Sequence, residues 1–414
     1  MNSDHSKTSH KKGSCHWPGG AAQDPYDVII VGAGPAGSSA AYELGRDGKR
    51  QVLIVDRADF PRYKCCAGGL FLVEDWPSQF EIFRQCMQDF TRFECRQFDF
   101  YCNRDLFYRT PDTHLFDVVD RSEFDTALLK AALQYPNIHF RRAHINHIEQ
   151  QQLVGQPVYC LRSDQGTFNS RKVIGANGFS GVISRFVGNP APRKSDYGMC
   201  LQQDILCDKI EPATTSVFLN WAGELGFTWI FPNASGYSLG LGFIGSTRKP
   251  LPVILDEFHD YAVQRKLIPS RYQKRKLKGA PCPVSVVSRF GRQQVLLCGD
   301  ALGAVRQLTG EGIYYALWTG RLAAQSLLAD DREPVARYRR ALRPVMRQIV
   351  LRRVLPFGKS HKLILSICIR LFSLRLPFEL HHKMRKWIVN KFHRMDSLPL
   401  NSFYRKNASK LKRS

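Results

Sequence analysis

The stretch Asp27-Val-Ile-Ile-Val-Gly-Ala-Gly-Pro-Ala-Gly-Ser, residues 27–38, decides the fold of this 414-residue chain. The unbroken apolar run from Val28 to Val31 predicts a strand that is buried on both faces. Gly32, Gly34 and Gly37 then form a G-x-G-x-x-G pattern. In that pattern the glycines permit a tight turn, the close approach of a pyrophosphate to the backbone, and close packing of helix on strand.

The residues after this pattern continue a strand–helix–strand unit. Pro35 suits the first helical turn, where no intrahelical hydrogen bond is lost. Small and helix-forming residues follow as far as Leu44, and Gln51 to Val55 predicts the next strand. Asp56 comes nineteen residues after Gly37, where a carboxylate can accept hydrogen bonds from a ribose hydroxyl pair. This order predicts a dinucleotide-binding domain; the alternative is a glycine-rich turn in an ordinary α/β protein.

The formal charge of +24 is unevenly distributed along the chain. Residues 334–414 contain 21 Lys and Arg and only two acidic residues, so they carry +19 and leave +5 for residues 1–333. A chain of this length has room for two or three domains with full cores. We therefore expect a nearly neutral body and a strongly basic tail.

Cysteine spacing and the first residues bear on the compartment. The twelve cysteines form no Cys-x-x-Cys pair and no Cys/His zinc spacing, so we expect no metal site. Residues 1–20 are polar and lack the apolar core of a signal peptide. No window reaches eighteen uncharged apolar residues. We expect a disordered leader over residues 1–25 and a reduced, cytoplasmic protein without a spanning helix.

A loop with two adjacent cysteines follows Asp56 and occupies residues 57–70. Its glycine pair implies close approach of the backbone to a flat or charged group, and Arg62 and Lys64 are candidate phosphate contacts. Cys65 and Cys66 are too close in sequence for an unstrained disulfide. For either cysteine the alternative is a small apolar filler.

Periodicity predicts most of the remaining elements. Residues 80–109 alternate apolar and polar side chains and predict antiparallel strands. Arg121-Ser-Glu-Phe-Asp opens a predicted helix with Ser122 as its N-cap. Further strands are expected within residues 137–148, 167–177 and 197–244, and an amphipathic helix over residues 253–268.

Two neighbouring stretches suggest a sheet that faces a ring. Leu239-Gly-Leu-Gly-Phe alternates a side chain with none, which fits a ring lying against one face of the sheet. Thr228-Trp-Ile-Phe-Pro, just before it, is rich in aromatic residues. Core packing beneath the sheet is the alternative for each aromatic side chain.

A second strong pattern begins with the buried strand predicted at residues 295–300, which ends in Gly299-Asp300. An acid at that position can bind a polyol hydroxyl. Gly310 and Gly312 then expose backbone N–H groups at the start of a helix that is predicted to run to about Leu328. A helix N-terminus stabilises an anionic group by ~0.3–1 kcal/mol, and a reduced flavin develops such charge along one edge. A simple helix cap is the alternative for Asp300.

Residues 26–330 resemble the FAD-dependent geranylgeranyl reductase family, within a larger group that includes the flavin aromatic hydroxylases. The glycine pattern looks like the FAD fingerprint of the family, and Lys64-Cys-Cys-Ala-Gly-Gly is similar to its Lys-Pro-Cys-x-Gly loop, with Cys66 at the family cysteine. Three further stretches match family motifs: Arg121-x-x-Phe-Asp, Phe227-Thr-Trp-Ile-Phe-Pro, and Gly299-Asp300 through Leu308-Thr-Gly-Glu-Gly-Ile.

The resemblance implies an α/β fold with a Rossmann-like FAD-binding domain around a parallel sheet, an antiparallel-sheet substrate domain, and a helical basic C-terminal region. FAD-binding segments would span about residues 26–75, 115–190 and 285–330, with substrate segments at about 76–114 and 191–284 and the tail at 331–414. The FAD contacts that the resemblance implies are Gly32, Gly34, Ala36, Gly37, Asp56, Cys66, Ala67, Arg121, Ile145, Asp300, Gly312 and Ile313. The substrate-side residues that it implies are Phe227, Trp229, Phe231 and Pro232.

Three positions depart from the family pattern. Phe227 replaces a tyrosine and removes a hydroxyl, Asn177 stands where related flavoproteins usually carry an aspartate, and Cys65 replaces a proline. These departures affect the expected substrate and electron donor more than the expected flavin.

The resemblance implies an FAD-dependent oxidoreductase that saturates carbon–carbon double bonds of a prenyl or lipid-like substrate, with NADPH or ferredoxin as electron donor. Cys66 is the residue expected near the reacting carbon, as a candidate catalytic residue. A flavin monooxygenase or halogenase is one alternative, although the loop around Lys64 lacks the Gly-Glu-Ser that halogenases usually show. A flavin-binding membrane protein without turnover is another, suggested by Asn177 and Phe227.

The basic tail begins with a predicted amphipathic helix over residues 334–350, in which Pro344 is expected to cause a bend. Farther along, apolar residues are interleaved with Lys and Arg, which favours a helix lying on an anionic membrane surface. The expected anchors are Leu363, Ile364, Phe372 and Trp387. We expect peripheral attachment to the cytoplasmic membrane and no specific nucleic acid. The alternatives are nucleic-acid binding and a solvated basic cap over the body.

Overall fold

The structure is a computed structural model that describes residues 25–71, 79–110, 114, 116–153, 156–209, 214–306, 310–329 and 333–349. The expected leader lies almost entirely outside these residues, and so do residues 350–414 of the basic tail with all four expected membrane anchors.

The described residues contain the five helices that the sequence predicts and two short helices, at Glu81–Cys86 and Val182–Val187, that it did not predict. Two 3₁₀ turns, at Trp221–Gly223 and Gly299–Ala301, accompany the α-helices. The α-helices are α1 (Pro35–Asp47), α2 (Glu81–Cys86), α3 (Arg121–Leu133), α4 (Val182–Val187), α5 (Leu251–Gln264), α6 (Ile313–Leu328) and α7 (Pro334–Ile349).

The strands are numbered β1 to β19 along the chain. The first eleven are β1 (Tyr26–Val31), β2 (Val52–Asp56), β3 (Gly69–Phe71), β4 (Arg92–Cys95), β5 (Phe98–Cys102), β6 (Asp105–Arg109), β7 (Phe116–Val119), β8 (Ile138–Arg142), β9 (Ile145–Leu153), β10 (Gln156–Ser163) and β11 (Gly166–Gly175). The others are β12 (Tyr197–Leu206), β13 (Thr215–Leu219), β14 (Gly226–Asn233), β15 (Gly236–Ile244), β16 (Gln273–Lys274), β17 (Lys278–Pro283), β18 (Gly291–Arg292) and β19 (Val295–Leu297).

The first sheet is the parallel sheet that the glycine pattern predicts. Its order is β18-β19-β11-β1-β2-β8, and β1 pairs in parallel with both β2 and β11. The central strand is covered on both faces, so Val28 to Val31 are all 5% exposed or less. The hairpin of β9 and β10 continues the sheet antiparallel from β11. This arrangement confirms the predicted Rossmann-like layer.

The second sheet has the order β16-β12-β15-β14-β13-β5-β6, and β17 also pairs with β12. Its pairs are antiparallel except β13 with β5. Helix α5 packs on one face of this sheet, where Leu239, Leu241 and Phe243 are at most 1% exposed. The other face packs towards a small three-stranded sheet, β3-β7-β4, through an apolar cluster. The predicted mixture of parallel and antiparallel sheets is confirmed.

Two local predictions are wrong. Residues 80–109 are not all strand, because Glu81–Cys86 is a helix whose Ile82, Phe83 and Cys86 enter the large core. The N-cap of α3 is Asp120 instead of Ser122. Its carboxylate accepts a hydrogen bond from the backbone N–H of Ser122 at 2.7 Å, which is the role that Asp plays at many helix starts.

Helix α7 packs on the parallel-sheet layer although it belongs to the expected tail. Its apolar face, formed by Tyr338, Leu342, Val345 and Ile349, is fully buried in the large core. The Tyr338 hydroxyl donates to the carbonyl oxygens of Leu297 and Thr319, at 2.8 and 3.2 Å. For this helix the body therefore covers the apolar face, while Arg339, Arg340, Arg343 and Arg347 remain exposed.

No helix among the described residues combines the length and the apolar character that crossing a membrane requires.

Candidate active site

The three glycines of the first pattern differ in what surrounds them. Gly32 has a φ of +106°, and a Cβ added at Gly37 would lie 1.8 Å from the carbonyl oxygen of Gly32. At both positions neighbouring backbone atoms leave no room for a side chain. At Gly34 an added Cβ would meet only the Arg62 guanidinium, at 3.0 Å. Gly34 is thus the point where the loop backbone is open to a ligand and a cation lies beside it.

Asp56 ends β2 next to this loop, as its predicted role requires. One carboxylate oxygen accepts a hydrogen bond from the backbone N–H of Ala33 at 2.8 Å, and the other accepts from Ala58 at 3.0 Å. The acid is therefore fixed against the glycine turn by the two bonds.

The two sequence patterns meet because α1 and α6 pack very closely. A Cβ added at Gly320 of α6 would lie 2.0 Å from the carbonyl oxygen of Ala36, and one at Gly299 would lie 2.8 Å from the Ala36 Cβ. The Ser39 hydroxyl also donates to the carbonyl oxygen of Leu317 at 2.8 Å. The structure therefore brings Ala36 and Gly299 together, 263 residues apart in sequence.

Both helices begin without a side-chain cap. Gly34 precedes α1 and Gly312 precedes α6, and neither helix start has a side-chain hydrogen bond. Uncapped N–H groups and the helix dipole favour an anionic ligand group. Asp300 lies beside the second start, since a Cβ at Gly312 would be 3.8 Å from its carboxylate, and the Lys64 ammonium lies 3.4 Å from that carboxylate. Ile313, the first residue of α6, is 7% exposed.

A buried ion network supports the cysteine loop. Asp125 of α3 is fully buried and receives two hydrogen bonds from Arg121, at 2.9 and 3.0 Å, and an ion pair from Arg62 at 3.0 Å. Burial lowers the pKa of Arg121, but Asp125 and the Cys66 thiol raise it, and the net pKa lies above the ordinary value. Arg121 thus contacts both its own helix and the candidate catalytic cysteine.

Cys66 is held by its backbone. Its N–H donates to the side-chain oxygen of Gln202 at 2.7 Å, and its sulfur accepts from the N–H of Gly68 at 3.4 Å. Gln202 is 3% exposed, and its amide nitrogen donates to Asp204 at 2.9 Å. Ala67, the next residue, packs against the apolar cluster on the second sheet, here called the substrate sheet after its expected role. The neighbouring Cys65 differs, because burial raises the pKa of its thiol to about 12.

Sequence reasoning missed Gln202, because the register that places it at the site is visible only in the folded sheet. Gln202 lies in β12 directly opposite Gly240, and Gly240 lies opposite Trp229. Residues that are directly opposed across neighbouring strands point to the same face. Gln202 therefore lies on the same face as the Trp229 ring, where its side chain can contact the cysteine loop.

One face of the substrate sheet, here called the aromatic face, is turned to this loop. Across three strands it has the rows Phe227–Gly242–Cys200, Trp229–Gly240–Gln202 and Phe231–Ser238–Asp204. The ring that the glycines accommodate is the Trp229 indole, because a Cβ at Gly240 would lie 2.2 Å from it. Among the described residues the Trp229 indole nitrogen is buried and has no hydrogen-bond partner.

The other predicted substrate-side residues divide between the two faces. The Phe227 ring lies beside Gly310, which precedes α6, since a Cβ added at Gly310 would be 3.4 Å from that ring. Phe231 packs against Phe98 and Phe116 within the apolar cluster. Pro232 pairs with Tyr237, and both alternate to the α5 side of the sheet, so the structure does not group Pro232 with the other three.

Ile145 is the remaining predicted contact, and Asn177 is the departure from the family pattern noted near the glycine turn. Ile145 begins β9 and is 5% exposed in the large core of the parallel-sheet layer. Asn177 follows β11 beside the glycine turn, and its backbone nitrogen would lie 2.9 Å from a Cβ at Gly32. Its position is thus against the backbone of the turn.

Comparisons with known proteins agree with this geometry. Residues 25–70 match the family described as FAD binding domain. The menaquinone reductase of Mycobacterium tuberculosis is 29% identical over 330 residues, which cover 75% of this chain and 78% of the relative. The digeranylgeranylglycerophospholipid reductase of Methanosarcina mazei is 26% identical over 323 residues, which cover 73% of this chain and 75% of the relative.

Solved structures share the fold. A geranylgeranyl bacteriochlorophyll reductase-like protein from Thermoplasma acidophilum superimposes with a TM-score of 0.66 at 20% identity, covering 79% of this chain and 84% of that chain. The flavin-dependent halogenase CmlS superimposes with a TM-score of 0.62 at 20% identity, covering 89% of this chain and 71% of that chain. The fold alone therefore does not separate reduction from halogenation.

The glycine loop, the strand-end acid and the two uncapped helix starts fit FAD, and the matched domain names that cofactor. The protein is thus an FAD-dependent oxidoreductase. Relatives named as reductases are similar to it over about three quarters of the chain, which agrees with its resemblance to the FAD-dependent geranylgeranyl reductase family. The predictions of fold class, family and cofactor are confirmed.

Proposed function

We propose that this protein reduces carbon–carbon double bonds of a prenyl or other lipid-like substrate. The observation that carries the proposal is the hydrogen bond between Cys66 and Gln202, which joins the cysteine loop to the aromatic face. A relative named for reduction of a digeranylgeranyl lipid supports the same substrate class.

FAD supplies the hydride chemistry when it is bound, and the residues of this chain hold it. Gly34 and the start of α1 would accept the pyrophosphate, with Arg62 as a cation beside it. Asp56 would hold the ribose, because it ends β2 beside the loop. The other proposed contacts are Gly32, Ala36, Gly37, Cys66, Ala67, Arg121, Ile145, Asp300, Gly312 and Ile313.

The aromatic face would hold the substrate. The half-buried Phe227 offers a flat apolar surface to an isoprenoid chain, with the 5%-exposed Trp229 beside it, and burial of such surface contributes about 25 cal/mol per Å². The indole N–H of Trp229 lacks a partner among the described residues and would donate to a polar group of the substrate. Phe231 belongs to the wall behind them, whereas Pro232 lies on the other face and would contribute only packing.

Cys66 is proposed as the catalytic residue, near the reacting carbon. Its backbone N–H is anchored to Gln202 and its sulfur lies against Arg121 and the Gly68 N–H. These contacts fix the position of the thiol. NADPH or ferredoxin is proposed as the source of electrons.

The test is anaerobic turnover. The purified protein is expected to be yellow, and addition of a prenylated lipid to its dithionite-reduced flavin should restore the oxidised flavin spectrum. Mass spectrometry should show one added H₂ for each reduced double bond. A colourless protein that rejects FAD would contradict the proposal. A product that gains oxygen, formed only in air, would favour a monooxygenase.

Neighbouring cysteines provide the matched controls for this assay. Cys66→Ser is expected to retain FAD but to lower turnover by roughly a hundredfold, within the range of general acid–base catalysis. Cys65→Ser should retain turnover, because that half-buried thiol donates a hydrogen bond to the Lys278 carbonyl oxygen. Equal turnover of the two variants would remove Cys66 from the catalytic role.

We also propose peripheral membrane attachment through residues 350–414, on the cytoplasmic side. Helix α7 is a poor candidate for the anchor because its apolar face is buried. A chain truncated after Ile349 keeps that helix and every proposed FAD contact, so it should bind FAD but sediment less with anionic vesicles. Equal sedimentation of the truncated and full-length chains would leave the tail without this role.

A further inference from the structure

A second concentration of positive charge lies in the substrate domain, at residues 265–278, here called the basic segment. It contains seven Lys and Arg and no Asp or Glu. Residues 1–333 carry 39 Lys and Arg against 34 Asp and Glu, so the remainder of that body has a net charge of −2. The positive charge of the body therefore comes from this one segment.

The cations of the basic segment face solvent. Arg265, Lys266, Arg271, Lys274, Arg275 and Lys276 are all exposed, and Lys278 is half-buried. Asp204 of β12 lies near the segment, since its backbone carbonyl oxygen accepts from the Arg275 N–H at 2.8 Å. On α5, Asp256 pairs with Lys274 at 3.3 Å and Glu257 pairs with Lys249. Asp260 is the third exposed acid of that helix. These acids leave most of the charge of the segment uncompensated.

The basic segment forms the edge of the substrate sheet next to the candidate active site. β16 pairs with Ile205 and Leu206, and β17 starts at Lys278, directly opposite Gln202. Gln202 is the residue that binds the Cys66 backbone. The charged edge is thus one strand away from the contact between the cysteine loop and the aromatic face.

An exposed aromatic residue connects the cysteine loop to the basic segment. Tyr63 of the cysteine loop is 40% exposed, and the Lys278 ammonium lies 3.4 Å from the centroid of its ring. Tyrosine is enriched where proteins meet the headgroup region, because its ring is apolar and its hydroxyl polar. A phosphate-binding edge with an amphipathic ring beside a lipid-binding site is what entry of substrate from a bilayer would require.

We propose that the basic segment and Tyr63 bind the headgroups of an anionic phospholipid bilayer and orient the active site towards it. The proposal rests on the proposed function for the lipid nature of the substrate. Positive charge attracts anionic lipid headgroups, and each Lys or Arg at the surface contributes to the attraction. Lipid is favoured over nucleic acid by the exposed Tyr63 and by the position beside the substrate face.

The test compares two full-length triple variants with the same net charge. The first, Arg271→Gln, Arg275→Gln and Lys276→Gln, removes three exposed cations of the basic segment. The control, Lys49→Gln, Lys130→Gln and Arg141→Gln, removes three exposed cations of the FAD-binding layer. Binding is measured to phosphatidylcholine vesicles with and without phosphatidylglycerol, after FAD content and thermal unfolding have been matched to the wild type.

The first variant is expected to bind the anionic vesicles roughly tenfold or more weakly, whereas the control should change by less than about twofold. An equal loss of vesicle binding in both variants would overturn the proposal, because net charge alone would then explain it. Unchanged binding in both variants would also overturn it and would make the basic segment an ordinary solvated edge. Loss of binding to a double-stranded oligonucleotide without loss on vesicles would also overturn it. Turnover of detergent-solubilised substrate by the wild type tests the proposed function separately.

Discussion

The two large sheets use glycine in different ways. In the FAD-binding layer two helix glycines are closed by backbone, with the Gly32 carbonyl 1.8 Å from an added Cβ at Gly37 and the Ala36 carbonyl 2.0 Å from one at Gly320. On the aromatic face of the substrate sheet the nearest group to Gly240 is a side chain, because an added Cβ would lie 2.2 Å from the Trp229 ring and 2.7 Å from the Leu201 carbonyl oxygen. A ring can move aside more readily than a backbone, so we expect the chain to tolerate a side chain at Gly37 less well than at Gly240.

This difference predicts the largest effect at Gly37. Gly37→Ala places a Cβ against a fixed carbonyl, and forced overpacking of this kind costs about 3 kcal/mol or more. We expect loss of both FAD and thermal stability, measured by flavin absorbance and calorimetry. Gly34→Ala is the matched control, because an added Cβ there would meet the Arg62 guanidinium at 3.0 Å but no backbone. It should fold and lose only FAD affinity; equal unfolding of both variants would contradict the distinction.

The next effect concerns acid sensitivity on the α5 side of the substrate sheet. His259 is 1% exposed with both ring nitrogens unpaired among the described residues. Burial, then the charge of Lys274, lowers its pKa from 6.5 to about 4. The unfolded chain therefore binds the proton more readily, so the folded state loses stability as the pH falls through this window.

His259→Phe should remove that sensitivity. The wild type is expected to lose about 3 kcal/mol of unfolding free energy between pH 6.5 and 4 that the variant does not lose, at 1.36 kcal/mol for each pH unit. Denaturant unfolding at several pH values measures it. His144→Gln, at an exposed histidine of the FAD-binding layer, is the control and should follow the wild type. A parallel pH profile for His259→Phe would show that the buried ring does not govern acid unfolding.

At Gly240 we expect a smaller loss of stability with a loss of turnover. Gly240→Ala would displace the Trp229 ring and crowd the Leu201 carbonyl oxygen at 2.7 Å, at a cost of roughly 1–3 kcal/mol, while the FAD layer stays intact. Flavin content should therefore remain and lipid reduction should fall by about tenfold or more. Gly242→Ala is milder, because its nearest neighbour is the Cys200 sulfur at 3.2 Å. Loss of flavin from Gly240→Ala would contradict the expectation that the FAD-binding layer is unaffected by changes in the substrate sheet.

The smallest effect is expected at the hydrogen bond that joins the layers. Gln202→Leu leaves the Cys66 N–H without its acceptor, which costs roughly 1 kcal/mol of stability. Turnover should fall, and Cys66 should be alkylated faster than in the wild type, as peptide mass spectrometry can measure. Gln203→Leu is the control, since that side chain bonds the Arg275 carbonyl instead. Unchanged alkylation of Cys66 in Gln202→Leu would remove the positioning role from Gln202.

The sequence by itself determined the cofactor layer. The buried strand at β1, the glycine turn, the acid at the end of β2 and the second helix start are local patterns, and their backbone requirements leave few residue choices. The parallel sheet, the FAD-binding class and the resemblance to the reductase family followed from them. Tail helix α7 was also predicted as an amphipathic element, but the sequence did not say what its apolar face would contact.

Tertiary structure alone decided the contacts that depend on neighbouring strands and layers. Pairing set Gln202 opposite Gly240, which joined the cysteine loop to the substrate sheet, and strand alternation moved Pro232 to the far face. The large core drew Glu81–Cys86 into a helix and covered the apolar face of α7. These outcomes depend on which side chains meet across long sequence separations, and a local pattern contains no information about its distant partner.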